Sequence, residues 1–554
     1  MPAVIYFHPE AYSISGPKLM GRNAAGESFL RGLLAHSRSR EFWAQVERPE
    51  HAHVFAEAVQ RSGRTEPVRI VDKNCLGHLA DSGLVYCPEP GIGRHAWQRA
   101  LFGDAAWSLC GITHTTSSAG AMDAIANLLV APVQPWDAVI CTSPAVKENL
   151  TRLLGAQAEY LTHRLGAQSM PALPQFPVIP LGVHANDYAY TDYQKDAARS
   201  AVEADAKTHV VLFMGRLSFH AKAHPLAMYQ ALEKATGQLP AGESILLLEC
   251  GWHANEYIEN AFSEAAALAC PSVRVLTMDG RNAKKRETAW ASADVFCSLS
   301  DNIQETFGIT PVEAMAAGLP VIVSNWDGYR SSVRDGLDGF LIPTLMPGAG
   351  LGGDLALRHA LEIDTYDMYC GNTCSLVAVD VDATAKAFVM LFCSRELRKK
   401  MGEAGRQRAH EVYDWSVIIP QYETLWAQLG EIRAARAPHV KQHACPWPGR
   451  MDPFSAFTAY PTDTLTPQTL LGLVDSDVAI ALERVFQYRN LKMVNFAKAV
   501  MPAEEEIRAV LSTIAGGPMS AIEAVAVIPS ERRVYVFRAL AWLAKMHIVK
   551  VYGG

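Results

Sequence analysis

Long apolar runs are missing from this chain. No stretch of its 554 residues approaches ~18 uninterrupted apolar positions, so no membrane-spanning helix is expected. The opening segment MPAVIYFHPE has no basic stretch leading into a long apolar one, so a secretory leader is not expected either. The 11 cysteines are scattered, and only Cys370 and Cys374 lie close together. Neither a CxxC pair nor a zinc-type Cys/His spacing occurs, so reduced thiols in a cytoplasmic protein are the expectation. The Gly-bearing loop at 15–22 lacks GxGxxG, which disfavours a nicotinamide-type site there. No DxD-type acidic pair stands out, so no essential metal or other cofactor is expected; Asp294 and Asp301 read as strand-end or loop residues. Charge of one sign is also scarce. Lys+Arg is 50 and Asp+Glu is 57, a net of −7, which argues against bulk binding to nucleic acid or anionic lipid.

What is present is ample core. Hydrophobic residues make up 49% and charged residues 19%, enough for three or four domains, or two large ones with an extension. Strand-like runs at 4–7, 68–73, 83–88, 137–143 and 176–183 alternate with helical patterns, the first of which places Phe29, Leu30, Leu33 and Leu34 on one face. A second series follows at 209–215, 243–251, 273–280, 293–300 and 319–325. Such alternation predicts two doubly wound α/β units in tandem, joined near 180–183. A Gly-rich stretch at 347–353 looks like a loop insertion. Residues 383–429 read as helical, 437–467 as a Pro-rich linker bearing aromatics, and the last 90 or so residues as a separate, mainly helical unit. That unit ends in a helix near 532–546 and a short strand, and suits a small winged-helix-like module.

The densest chemistry lies in Glu305-Thr-Phe-Gly-Ile-Thr-Pro-Val-Glu313-Ala-Met-Ala-Ala-Gly. Thr310, Pro311 and Glu313 are expected at N-cap, N1 and N3 of a helix ending near Gly318. Free N–H groups at such a start suit a diphosphate. Glu305 precedes the turn, where its carboxylate could accept from sugar hydroxyls. Glu313 has two readings on spacing alone, a ligand residue or the closing member of a capping box. The run HVVLFMG-Arg216-Leu-Ser-Phe-His-Ala-Lys222 puts two cations just past a strand's carboxyl end, where open α/β sheets bind ligands. Arg216 can grip two phosphate oxygens and Lys222 adds a point charge; two solvated loop cations is the other reading. His114 stands at an apparent strand end before small hydroxyl residues and could equally be an ordinary loop histidine. Ser15-Gly16-Pro-Lys18-Leu-Met-Gly21-Arg22 opens the first helix and could bring backbone N–H close to a phosphate, or be a plain strand–helix turn.

Together these residues resemble the retaining glycosyltransferases of family 4, which have the GT-B architecture. The resemblance rests on Glu305 and Glu313 with the FG turn and EAMAAGLPVIVS continuation, on GRL with Arg216 and the downstream Lys222, on PLGV at 180–183, on ADVFCSLS, and on DGLDGFLIP at 335–343. It covers about residues 1–430 and is densest at 209–343. It implies two Rossmann-like domains facing a cleft. The N-terminal one (1–182) would be the acceptor side, completed by a crossing helix at about 415–432, and the second (183–414) would bind the nucleotide-sugar.

By that resemblance Arg216 and Lys222 neutralise the diphosphate, and Glu313 bonds the ribose. Glu305 bonds the hydroxyls of the transferred sugar, and His114 contacts the sugar near the reacting centre. Gly16, Gly215 and the 306–310 turn (Thr306, Phe307, Gly308, Ile309, Thr310) hold phosphate through backbone N–H, with Lys18 and Arg22 on the acceptor side. The implied activity is transfer, with retention, from a UDP-, GDP- or ADP-sugar to a hydroxyl of a glycan, lipid-linked or protein acceptor. It would take place in the cytoplasm, with a peripheral position at the inner membrane face as one option.

Ala223 stands where the family usually has glycine, and SGPKLMG replaces its glycine-rich opening loop. The 437–554 extension has no counterpart in the minimal pattern. Another GT-B enzyme, an epimerase or a phosphorylase, remains an alternative. So does a regulator or nucleic-acid-binding protein acting through the C-terminal module. Residues 440–554 carry 12 Lys+Arg against 10 Asp+Glu, thin for nucleic acid, so docking or homo-oligomerisation is preferred for them.

Overall fold

The computed structural model describes residues 2–13, 21–440 and 444–552. The chain divides into two compact units, Met1–Trp447 and Pro448–Gly554.

The larger unit holds two six-stranded parallel sheets. The first comprises β1 (Val4–Phe7), β2 (Phe42–Val46), β3 (Val68–Val71), β4 (Leu84–Tyr86), β5 (Ser108–Ile112) and β6 (Ala138–Ile140), in the spatial order 3-2-1-4-5-6. The second repeats that order with β7 (Thr208–Met214), β8 (Ser244–Gly251), β9 (Arg274–Asp279), β10 (Val295–Ser298), β11 (Val321–Ser324) and β12 (Gly339–Ile342), so that β7 lies between β8 and β10. Helices cover both faces, and every residue of β4, β5, β6, β7 and β10 is buried. These strands therefore read as continuous apolar runs without alternation. These are the two doubly wound α/β units in tandem expected from the sequence. In each sheet the chain reverses direction between its first and fourth strands, and at that reversal a crevice opens outside the strands' carboxyl ends.

Phe29, Leu30, Leu33 and Leu34 all face the core from the helix Gly21–His36, as their spacing predicts. The strand expected at 176–183 does not form. The segment is extended and makes only isolated bridges, Val178 to Cys141 and Val183 to Asp414, because Pro177 and Pro180 lack the N–H a ladder needs. Strand β2, unmarked in the sequence reading, pairs in parallel with β1 and β3.

The helix Trp415–Arg436 packs back on the first sheet. Trp415 donates through Nε1 to Ser28 Oγ at 2.8 Å, Ser37 Oγ donates to Glu423 Oε1 at 2.7 Å, and Arg433 reaches the Ala106 carbonyl at 2.8 Å. Gly182 lies against the Trp415 ring, and a Cβ there would fall 2.3 Å from it. The two chain crossings run side by side: Val183 N–H donates to Tyr413 O at 2.8 Å and Trp415 N–H to Val183 O at 3.1 Å.

After the Gly-rich loop come the helices Gly353–Ala360 and Tyr366–Cys374, and the short strands on either side of this insertion, β13 (Thr344–Leu345) and β14 (Ala378–Val379), pair antiparallel. Trp447 stacks on Trp97, with ring centroids 6.1 Å apart.

The smaller unit is a three-stranded antiparallel sheet, β15 (Leu470–Leu473) flanked by β16 (Met519–Ser520) and β17 (Val549–Tyr552). It packs against helices that include Val478–Arg489, Glu504–Ile514 and Ser530–Lys545. Val485, Val510, Leu511, Val536, Leu540 and Leu543 form its core. Among the described residues, no helix is long and apolar enough to cross a membrane.

Candidate functional site

Three adjacent strands of the second sheet, β7, β10 and β11, send their carboxyl-end loops to one place. One buried residue ties them together. Asn302, after β10, donates through Nδ2 to His220 O at 3.0 Å in the loop after β7. The backbone carbonyl of the same residue accepts from Trp326 Nε1 at 3.0 Å in the loop after β11. Ser300 Oγ adds a bond to Lys222 O at 3.4 Å.

The loop after β7 turns at Gly215, whose φ is +149°. Arg216 then folds over the loop, donating to Ala221 O at 2.8 Å. Lys222 reaches inward and forms an ion pair with Glu305. Burial opposes the lysine's charge, but the Glu305 carboxylate more than offsets this and holds its pKa well above the ordinary lysine value. Burial likewise opposes the charge of Glu305. Lys222 and the N–H groups of Thr306 and Gly308 outweigh it, and the carboxyl is held below its usual range.

The helix expected after this turn is present but starts earlier. It spans Ile309–Ala316, with Gly308 at N-cap (φ +78°) and no side-chain cap. Thr310 is therefore not the N-cap, and Pro311 sits at N3, where its missing N–H is harmless because that donor is free in any helix. Glu313 falls at N5 and closes no capping box. The physical reason is Gly308. A Cβ there would lie 1.7 Å from the Tyr329 ring, so glycine alone admits this close turn, and its left-handed φ begins the helix two residues before Thr310. Gly318 follows the helix with φ +76°, as expected of its stop.

Freed from capping, Glu313 turns to the start of the second domain. It accepts a hydrogen bond from the Tyr188 hydroxyl and lies within the fields of Arg286 and Lys222. Burial nonetheless raises its pKa above the usual carboxyl value.

The first domain faces this cluster across the cleft. His114 follows β5, and its carbonyl accepts from Thr306 Oγ1 at 3.3 Å. Thr142 Oγ1 donates to Thr306 O at 3.4 Å, and Ser143 Oγ to Asp327 Oδ1 at 3.1 Å. The insertion contributes Tyr366, whose hydroxyl lies 3.1 Å from Ser117 Oγ and 3.4 Å from Thr115 Oγ1, and 3.5 Å from Gln304 Oε1 in the loop after β10.

The structure thus brings Gly215, Arg216, Lys222, Glu305, the 306–310 turn, Glu313 and His114 into one cleft. Gly16 and Lys18 lie outside the described residues, as does the side chain of Arg22. Sequence reasoning missed Asn302, Asp327, Ser143 and Tyr366. The only local sign of the first was a polar SDN directly after a buried strand. Among the described residues, no group of three or more His, Cys, Asp or Glu is placed to hold a metal ion.

Residues 194–347, which contain Gly215, Arg216, Lys222, Glu305 and Glu313, match the family described as Glycosyl transferases group 1. A phosphatidyl-myo-inositol mannosyltransferase of Mycobacterium leprae is 31% identical over 230 residues, covering 41% of this chain and 49% of the relative. A D-inositol 3-phosphate glycosyltransferase of Mycolicibacterium vanbaalenii is 29% identical over 204 residues, covering 35% and 41%. The chain thus spans about half or less of the curated relatives it matches. Among solved structures, Anabaena HepE in complex with UDP aligns over 78% of this chain and 100% of that one, with 15% identity and a TM-score of 0.48. Residues 194–347 are thus similar to a group 1 glycosyl transferase domain, and that stretch contains the cations, turn and helix start found at the ends of β7 and β10.

Proposed function

We propose that the chain is a retaining glycosyltransferase that moves a sugar from a nucleotide-sugar to an acceptor hydroxyl. The observation that carries this reading is the meeting of Lys222, Arg216 and the helix start at Gly308 in the crevice between β7 and β10, opposite His114. Departure of a nucleoside diphosphate leaves positive charge on the sugar and adds negative charge to the phosphate. Two cations and free N–H groups, fixed before the reaction, stabilise that charge as it develops. Glu305 would release Lys222 to the diphosphate and accept the sugar's hydroxyls, and Glu313 would accept those of the ribose. His114 approaches the reacting centre from the other domain. Retention follows from attack on the face the diphosphate leaves, with a donor phosphate oxygen taking the acceptor's proton.

The donor base and sugar, and the acceptor, are to be found by screening. UDP-, GDP-, ADP- and CMP-sugars should be compared by thermal shift and hydrolysis. Acceptors should include glycans, peptides, myo-inositol and phosphatidylinositol, the last two because the named relatives act on inositol compounds. Residues 468–554 would serve acceptor docking or oligomerisation, and the protein would work in the cytoplasm or at the membrane's inner face. Arg216→Ala should lower donor turnover by about 10²–10³-fold with little change in melting temperature. Full activity in the folded variant would overturn the diphosphate site.

A further inference from the structure

Asp327 is out of place as a mere loop residue. It lies just past the end of β11, beside the turn that carries Glu305, and its backbone has φ +41°, a left-handed conformation uncommon outside glycine that aspartate tolerates at some cost. Its neighbour Gly328 is pressed so closely on Phe307 that a Cβ would fall 2.4 Å from the Phe307 carbonyl oxygen, so only glycine allows the loop to lie this near the turn. One carboxyl oxygen accepts from Ser143 of the opposite domain at 3.1 Å. The Gly328 N–H acts on the carboxyl as well, but the other oxygen, Oδ2, is buried and accepts no well-formed hydrogen bond. A buried, unmatched carboxyl oxygen is expensive and demands a partner.

The character of that partner follows from the surroundings. Glu305 lies close enough for its charge to act on Asp327. A phosphate would add a third negative charge at that spot, so the donor's diphosphate is excluded. Lys222 is already engaged with Glu305. What fits is a neutral group that both donates and accepts, delivered to the cleft beside Glu305. Burial and the Glu305 charge push the Asp327 pKa up to about 7, so near neutral pH the group can meet a hydroxyl in either sense.

Resting on the donor reading above, we propose that Asp327 is a second carboxyl of the sugar subsite, bonding a hydroxyl of the transferred sugar and so setting which sugar is accepted.

The test uses the full chain, with the donor found in the screen, its nucleoside diphosphate, and deoxy analogues of its sugar. In Asp327→Gly the backbone keeps its φ without strain and the carboxyl is gone. Asp327→Asn keeps the shape and the bond from Ser143 and serves if the glycine variant folds poorly. The nucleoside diphosphate should bind both variants within about twofold of wild type. The KM for hydrolysis of the intact donor should rise about 10–100-fold, the size of one lost hydrogen bond to a charged group. For one deoxy position, wild type should lose that same factor, while Asp327→Gly should not distinguish the deoxy donor from the parent.

Variants with wild-type KM, or with the same sensitivity as wild type to every deoxy position, would overturn the proposal. So would an effect confined to acceptor KM, which would place the hydroxyl on the acceptor. If no nucleotide or nucleotide-sugar binds wild type at all, the donor reading itself fails and takes this one with it. If wild type turns donor over and only the Asp327 results disagree, the donor reading stands alone.

Discussion

Lys222 and Glu305 offer a double-mutant cycle that tests the site at its centre. Their side chains keep 20% and 13% exposure, so the pair is neither a surface bridge nor fully sealed. At contact, with an effective dielectric of ~20, the attraction is about 5 kcal/mol, and desolvation takes back a large part of it. Removing one partner of a buried pair costs about 3–5 kcal/mol because the other charge is stranded. Here residual exposure, and the N–H groups of Thr306 and Gly308 that still face Glu305, bring the expected cost of Lys222→Met down to about 2–3 kcal/mol. In a domain of ~230 residues that corresponds to roughly 5 °C in Tm. Glu305→Gln should cost less, about 1 kcal/mol, because the longer lysine can turn its head to solvent.

The double variant should recover about 1–2 kcal/mol relative to the sum of the singles, by calorimetry or denaturant melts. All three proteins should lose at least ~100-fold in donor turnover, since both charges are needed at the reacting centre. The pH profile supplies a second reading. In Lys222→Met the burial of Glu305 is no longer offset, so its folded pKa rises above the unfolded value. The folded state then binds more protons, and the variant's deficit should shrink as pH falls. Strictly additive stabilities, with a coupling below ~0.5 kcal/mol, would refute the pairing.

Other expectations follow from particular contacts. Gly308→Ala places a Cβ 1.7 Å from Tyr329 at φ +78°, so strain and overpacking should together cost about 3 kcal/mol and weaken nucleotide binding, read by melting and titration. Glu249 is sealed in β8 under the Tyr229 hydroxyl, and burial raises its pKa from 4.5 to about 7. Between those values the folded state holds the proton and the unfolded chain does not, so stability falls as pH rises from 4.5 to 7, by up to about 3 kcal/mol. Glu249→Gln should flatten that part of the profile in urea melts, and an unchanged slope would place the titration elsewhere. Residues 1–447 include the Trp447–Trp97 stack and the whole cleft, so that fragment should fold and hydrolyse donor slowly while losing acceptor transfer or self-association; an insoluble fragment, or one that has lost nucleotide binding, would show the extension to be part of the core.

Much of the second domain was legible because its signals are local. Four buried strands, β7, β8, β10 and β11, announce themselves as apolar runs, and Glu305 through Gly318 compresses a turn, a helix start and a helix stop into 14 residues. The first domain was less legible for a physical reason. Strand β2 is a five-residue run that contains Gln45 and is followed by charged residues, and only pairing on both edges with β1 and β3 makes it a strand. The run at 176–183 misled in the opposite sense. Its apolar residues imitate a strand, yet two prolines strip it of donors and leave it as a connection.

The helix start shows where local rules end. Thr310-Pro-Val-Glu313 is a sound capping pattern, and the structure passes over it because Tyr329, some 20 residues further on, presses on the backbone at 308 and fixes a glycine there. A distant ring thus decides the register of the helix and frees Glu313 for Tyr188 and the nucleotide side of the cleft. The same holds for the residues no motif marked. Asn302 matters because β7, β10 and β11 are neighbours in space, and Ser143 and Asp327 because two domains meet. Tyr366 matters because an insertion after β13 returns to the cleft mouth. Each acts through long-range contacts created by the strand order, while the motif residues just past β7 and β10 would carry the proposed chemistry wherever that order places them. On the proposed reading, variation within such a scaffold should therefore concentrate in the loops after β5, β11 and β13, which would meet the sugar and acceptor, and leave intact the ends of β7 and β10, which would hold the phosphates.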